Sequence, residues 1–183
     1  DQAIEYGRRE PVTPWMGADS ARHYQWYPFM NMGHYHIAKV GGNKRLNQEF
    51  LRNMHAGIQR TYEKALQSPF MHGIPYIWCS NNLTTAMLTQ CRLYRETTND
   101  QTYAEMEASM RDWLFGCNPW GTSMIVELPM TGDYPIMPHS SLLNAGVGTT
   151  TGGLIDGPVY ATIFENLKDE NMTGIPNTPG QDY

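Results

Sequence analysis

Trp113-Leu114-Phe115-Gly116-Cys117-Asn118-Pro119-Trp120-Gly121-Thr122-Ser123 is the stretch on which the reading of this chain turns. Trp113 and Leu114 close an apolar helical stripe that starts at Tyr103, and Gly116 stands where a helix-ending glycine belongs. Past it come Pro135-Ile136-Met137-Pro138-His139 and a glycine-rich turn, Gly152-Gly153-Leu154-Ile155-Asp156-Gly157-Pro158. Residues 117–157 therefore read as mostly loop. That is long for a compact domain, and such loops are usually functional.

Upstream of this stretch, helical periods dominate. A helix fits residues 28–39, with Met30, Gly33, His34, Ile37 and Ala38 on one stripe. A second fits 44–66, where Leu46, Phe50, Met54, Ile58, Tyr62 and Leu66 recur. A third begins near Asn81, with Leu83, Met87, Cys91 and Tyr94 inward. The fourth opens on a capping box, Thr102 with Glu105, in which each side chain can bond the other's free backbone N–H. A fifth is expected from Pro158, with Tyr160, Ile163, Phe164 and Leu167 facing in. The organisation is a connecting segment over 1–25, a helical domain over 26–168 and a polar tail over 169–183. The fold class is all-α.

Composition narrows the function classes. The 183 residues suffice for one domain with a real core, and 40% hydrophobic content with five Trp and eleven Tyr favours a packed globule over disorder. A net charge of −5 supplies no basic surface for nucleic acid, and no apolar run is long enough to cross a membrane. The chain starts at Asp1 rather than Met, which reads as a processed or excised segment. Cys79, Cys91 and Cys117 are odd in number and form no CxxC pair, so they read as buried thiols rather than a disulfide or zinc framework. His34 and His36, two apart on a helix, point to different faces and make no helical metal site. Asn82-Leu83-Thr84 and Asn171-Met172-Thr173 match the glycosylation triplet, which is common by chance.

The order of the three quoted motifs resembles the C-terminal half of glycoside hydrolase family 9, the inverting endoglucanase family. The Leu-Phe-Gly-Cys-Asn-Pro-Trp-Gly-Thr-Ser run is similar to the family's leucine-glycine-x-asparagine-proline segment. The resemblance implies an (α/α)6 barrel of twelve helices, of which about five here are somewhat under half. It also implies a secreted or periplasmic parent. Structural calcium, known in some family members, finds no support in this segment, and no cofactor or metal is expected.

The resemblance points to a set of substrate contacts. His139 matches the His of the family's Pro-His-x-Arg signature, although Ser141 stands where the Arg would be. Trp120, Trp78 and Tyr76 are the aromatic candidates, since sugar rings present apolar C–H faces that such rings cover well. Trp78 fits a core position equally well. Cys79-Ser80-Asn81-Asn82 replaces the Trp-Gly-Ser-Asn of many members, which alters a glucose subsite. Asn118, Asn81 and Asn82 can bond sugar hydroxyls, and helix capping suits the latter two equally.

Glycoside cleavage by inversion needs two carboxyl groups roughly 6.5–9.5 Å apart. The family's Asp-x-x-Asp base motif and Asn-Glu acid segment are both missing from this sequence. Glu127 and Asp133 lie in the cleft-like loop, and Asp156 reads as a cap for the helix after it. The expectation is the sugar-cleft portion of an inverting hydrolase acting on β-1,4-glucan or a related plant polysaccharide, with acid and base supplied from outside. The alternative is a non-catalytic helical carbohydrate-binding or scaffold module. The expected partners are the polysaccharide or an oligosaccharide and either the remaining barrel polypeptide or a second copy. An incomplete barrel would expose the stripes of Met54, Ile58 and Tyr62 and of Ile163, Phe164 and Leu167.

Overall fold

A computed structural model of the chain describes residues 2–10, 31–41, 43–77, 79–136, 146 and 150–161. The described residues form five helices: α1 (Gln2–Arg9), α2 (Met32–Lys39), α3 (Lys44–Ala65), α4 (Ser80–Thr98) and α5 (Ala104–Leu114). Among them no strand forms beyond two isolated bridges, Ile125 with Leu128 and Ile125 with Leu154. α3 falls within a residue of its expected bounds, and α4 starts within a residue of the expected Asn81. Three elements differ. α1 lies inside the expected connecting segment. α5 starts at Ala104, one residue later than the capping box implies, and the Thr102 hydroxyl and N–H both donate to the Asp100 carboxylate, at 2.6 and 2.9 Å. Pro158, Val159 and Tyr160 are not helical, Ala161 is, and the rest of the expected fifth helix from residue 162, including Ile163, Phe164 and Leu167, lies outside the described residues.

The chain divides into two compact units, Asp1–Gly73 with Thr85–Met110, and Ile74–Thr84 with Arg111–Tyr183. The first is a helical core. α3 is capped by the Asn43 side chain, which accepts from the Leu46 N–H at 3.0 Å. Its stripe of Leu46, Phe50, Met54 and Ile58 is buried, the last three completely. The expected exposure of Met54 and Ile58 is thus corrected, since both are fully buried within this chain. α1 joins this core through Gly7, where a Cβ would come within 2.5 Å of the Ile37 Cδ1 atom. His34 holds the end of α1. Its Nε2 lies 3.2 Å from the Gly7 carbonyl and 3.0 Å from that of Glu10, and its ring stacks against Phe50. A polar belt completes the unit. Tyr103 donates to Gln59 at 2.7 Å, and Arg95 grips Glu107 with two bonds of 2.8 and 3.1 Å.

The second unit is mostly irregular chain. The end of α5 is a Schellman turn. Gly116 has φ +108, its N–H reaches the Trp113 carbonyl, and the Cys117 N–H reaches that of Asp112 at 3.0 Å. Residues 124–126 then pair with 152–155. Met124 donates to Leu114, Ile155 to Met124 and Val126 to Gly153, and the side chains of Met124, Val126 and Ile155 are buried. The first turn of α4 is fixed by the glycine-rich turn. The Asn81 N–H donates to the Asp156 carbonyl, the Asn81 amide to Ile155, and the Ser80 hydroxyl to Pro158. Asp156 therefore serves the start of α4 rather than the helix expected after it. Gly157 is required here: its φ is +96 and a Cβ would meet Ser80 and Asn81 at 2.5 Å.

Candidate functional site

The Schellman turn releases the chain at Asn118, and the Asn118 side chain shapes the loop from there to Thr122. Its Nδ2 donates to the Trp113 carbonyl at 2.9 Å and to the Thr122 carbonyl at 2.7 Å, while its Oδ1 accepts from the Trp120 N–H at 3.1 Å. Both amide hydrogens and the oxygen are engaged, and the residue is buried. The loop is therefore closed around one side chain, which fixes Trp120 at its tip.

Four aromatic rings meet there. Trp113 is fully buried and forms the floor. Tyr76 stacks on it, with centroids 6.3 Å apart and planes at 23°. Trp120 stands edge-on to both, 6.2 Å from Tyr76 and 6.1 Å from Trp113. Tyr160 lies 5.6 Å from Tyr76. Such offset and T-shaped pairs are the preferred arrangements of aromatic quadrupoles. Burial, and then the neighbouring Tyr160, raise the Tyr76 pKa above its ordinary value, so the phenol stays neutral and can donate. Trp120 is 53% exposed and Tyr160 51%, so the cluster presents ring surface outward.

Beside Trp120 lies a cleft of about 500 Å³ lined by Thr122, Met124, Asp133, Tyr134 and Ile155 among others. Asp133 is fastened at two points. Its carboxylate accepts from the Thr122 hydroxyl at 2.5 Å, and its backbone carbonyl accepts from the Ser123 N–H at 3.0 Å. Glu127, at φ +57, accepts from the Thr151 hydroxyl. An exposed ring beside a fixed carboxylate suits a ligand with both an apolar face and hydroxyl donors. A second groove, of about 520 Å³, lies in the first unit and is lined by Ala3, Tyr6, Gly7, His34 and Ile37 among others. Its His34 ring is already committed to the carbonyls of α1. That groove therefore offers mainly apolar surface, and the second unit holds the better site.

Of the residues expected to contact a ligand, the structure brings Trp120 and Tyr76 together. Asn118 is adjacent, but its polar atoms are spent on the loop backbone. Trp78 and His139 lie outside the described residues. Asn81 is buried on the glycine-rich turn rather than open to a cleft. Tyr160 and Asp133 were not singled out by the sequence as ligand contacts. Tyr160 was read as a core helix position, and the Thr122–Asp133 pairing spans eleven residues with no periodic signal.

The thiols also differ from expectation, since only Cys91 is buried. Cys79 is half-exposed and Cys117 exposed, and all three are free. Burial, with Glu107 nearby, pushes the Cys91 pKa up to about 12, which leaves it an inert thiol. Among the described residues no three His, Cys, Asp or Glu side chains converge as metal ligands. No helix of the described residues is long and apolar enough to cross a membrane.

This geometry has known counterparts. The family model described as glycosyl hydrolase family 9 matches residues 8–177, and the chain belongs to that family. Among solved structures it is similar to a zinc-binding triple mutant of the family 9 endoglucanase J30, with TM-score 0.66, 18% identity and 85% of this chain covered. It is similar also to the structure of endoglucanase J30, with TM-score 0.65, 19% identity and 84% covered. A metagenome-derived family 9 endoglucanase matches at TM-score 0.64, 18% identity and 85% covered. The chain spans 28% of the length of each of these proteins. No curated protein matches the chain. The fold is thus all-α, a portion of the (α/α)6 barrel of this family, with irregular chain over the described residues 117–136 and 150–157.

Proposed function

We propose that this chain is the sugar-cleft portion of an inverting glycoside hydrolase acting on β-1,4-glucan or a related plant polysaccharide. The observation that carries the reading is the exposed Trp120 face, braced by Tyr76 and Trp113, at the edge of a cleft of about 500 Å³. A pyranose ring lays its C–H face on such a surface and directs its hydroxyls to the polar atoms around it. Family membership supports the substrate class.

The acid and base are assigned to polypeptide outside this segment. Among the described residues the cleft is lined by one carboxylate, Asp133, and inversion needs two on opposite sides of the bond. The remaining barrel polypeptide is the proposed partner, and a secreted or periplasmic setting fits a polymer substrate. The competing reading, a non-catalytic carbohydrate-binding module, draws on the start of α4. There Ser80 and Asn81 are committed to the glycine-rich turn, and Cys79 holds a left-handed φ of 58.

Titration of the 183-residue chain with a soluble β-1,4-gluco-oligosaccharide, followed by tryptophan fluorescence, tests the cleft. Saturable binding is expected, weakened about fivefold to tenfold by Trp120→Ala. Hydrolysis by the chain itself, lost on Asp133→Asn, would overturn the assignment of the acid and base to other polypeptide.

A further inference from the structure

We propose that Asp133 is a specificity-determining residue that admits neutral sugar rings to the Trp120 site and rejects uronic acid rings. The inference rests on the sugar-cleft reading above and adds to it a class of substrate.

Three observations meet at this residue. Asp133 lines the same cleft as Trp120. Its position is set by the loop rather than by chance of rotamer, because the Thr122 hydroxyl holds one carboxylate oxygen and the Ser123 N–H holds the backbone carbonyl. The Thr122 carbonyl is in turn held by the Asn118 amide that also fixes the Trp120 N–H. Ring platform and carboxylate are therefore parts of one hydrogen-bonded frame, and a ligand that rests on the first meets the second in a fixed register.

The Thr122 hydroxyl has one hydrogen, and the short bond to Asp133 takes it. Asp133 is exposed, so its other carboxylate oxygen faces solvent and accepts hydrogen bonds. Sugar hydroxyls are donors, and a bond from a neutral donor to a carboxylate is stronger than one between neutral groups. A uronic acid ring has the same apolar face but carries its own carboxylate in place of the hydroxymethyl group. Two anions would then share one cleft, on a chain whose net charge is already −5. The repulsion is weak at long range because the site is wet, but it acts at the contact distance of a bound ring.

The test compares two oligosaccharides of equal length on the 183-residue chain by calorimetry at low salt. One is a neutral β-1,4-gluco-oligosaccharide and the other an oligouronate. The wild-type chain is expected to favour the neutral ligand. Asp133→Asn keeps an acceptor and removes the charge. It should strengthen oligouronate binding about fivefold and weaken the neutral ligand about twofold to threefold, because a charged acceptor becomes a neutral one. Asp133→Ala should also admit the uronate, and should weaken the neutral ligand. Circular dichroism confirms that both variants fold, as an exposed position allows. An unchanged neutral-to-uronate ratio in Asp133→Asn, with Trp120→Ala still weakening the neutral ligand, overturns this proposal and leaves the cleft reading standing. Failure of the wild-type chain to bind either ligand overturns both.

Discussion

In the first unit the residues that set the structure are apolar and repeat at helical spacing, as Leu46, Phe50, Met54 and Ile58 do along α3. In the second, the decisive side chains are polar and bond to backbone across irregular chain. Asn118 closes the Trp120 loop, Ser80 and Asn81 seat the glycine-rich turn, and Thr122 pins Asp133. A helical core satisfies its own backbone and needs only shape-matched apolar contact. Irregular chain satisfies only part of its backbone that way, as residues 124–126 and 152–155 do, and the remaining buried amides and carbonyls need other partners, here side chains. The difference has a functional sense. Polar side chains that bond backbone can hold a large aromatic ring half in solvent, which an apolar core would bury.

The sharpest break of the comparison is Phe50→Ala. Phe50 is fully buried beside His34, and its truncation leaves a cavity expected to cost about 3–5 kcal/mol. Urea unfolding followed by far-ultraviolet circular dichroism reads the loss directly. A cost under about 1 kcal/mol would show that the first unit is not held by its apolar stripe.

The first unit also contains a buried titratable group. Burial pushes the His72 pKa down to about 4, so the folded chain holds it neutral. An unfolded His takes its proton near pH 6.5. The stabilisation is therefore complete above pH 6.5 and is lost as pH falls from there through about 4. It amounts to roughly 3 kcal/mol over the whole window. Carboxylates also titrate towards its lower end, so the comparison is with His72→Gln. The wild-type chain should lose more stability than the variant between pH 7 and pH 4.5. Equal slopes would mean that His72 takes its proton without unfolding.

Asn118→Ala should act on the second unit alone. It strands the Thr122 carbonyl and the Trp120 N–H and leaves the Trp113 carbonyl with only its Gly116 partner, at a local cost of about 2 kcal/mol. Amide exchange should accelerate over residues 116–124 and stay unchanged in α3. If α3 loosens equally, the two regions are not separate in the sense argued above.

Legibility in the sequence divides along the same line. Apolar stripes announced α3 and the start of α4 to within a residue, and the glycine after Leu114 announced the Schellman turn. α1 went unseen because its buried residue is Gly7, which carries no apolar signal, and because eight residues are too short a window for a helical period to stand out. Ahead of α5 the sequence pattern of a capping box hid a second local arrangement, in which the Asp100 carboxylate accepts from both the Thr102 N–H and its hydroxyl. At the site, Trp120 and Tyr76 could be named from residue type and motif. Their meeting at 6.2 Å depends on chain paths that no spacing encodes. Asn118 was legible as a polar loop residue but not as a spent one, because its three backbone partners exist only once the loop has closed.

The smallest expected effect on stability isolates function from fold within a single aromatic cluster. Trp113 and Trp120 are 6.1 Å apart, yet the first is fully buried and the second 53% exposed. Trp113→Ala removes a buried indole and should cost about 3–5 kcal/mol. Trp120→Ala gives up only partial contact with Tyr76 and Trp113, and much of its surface is already wet. Its cost should stay under about 1 kcal/mol, within the range of surface substitutions that break a single contact. The fluorescence titration with a gluco-oligosaccharide should nevertheless lose most of its signal. A loss of stability as large as that of Trp113→Ala would show Trp120 to be part of the core. The site would then have to be sought on Tyr160 and Asp133 instead.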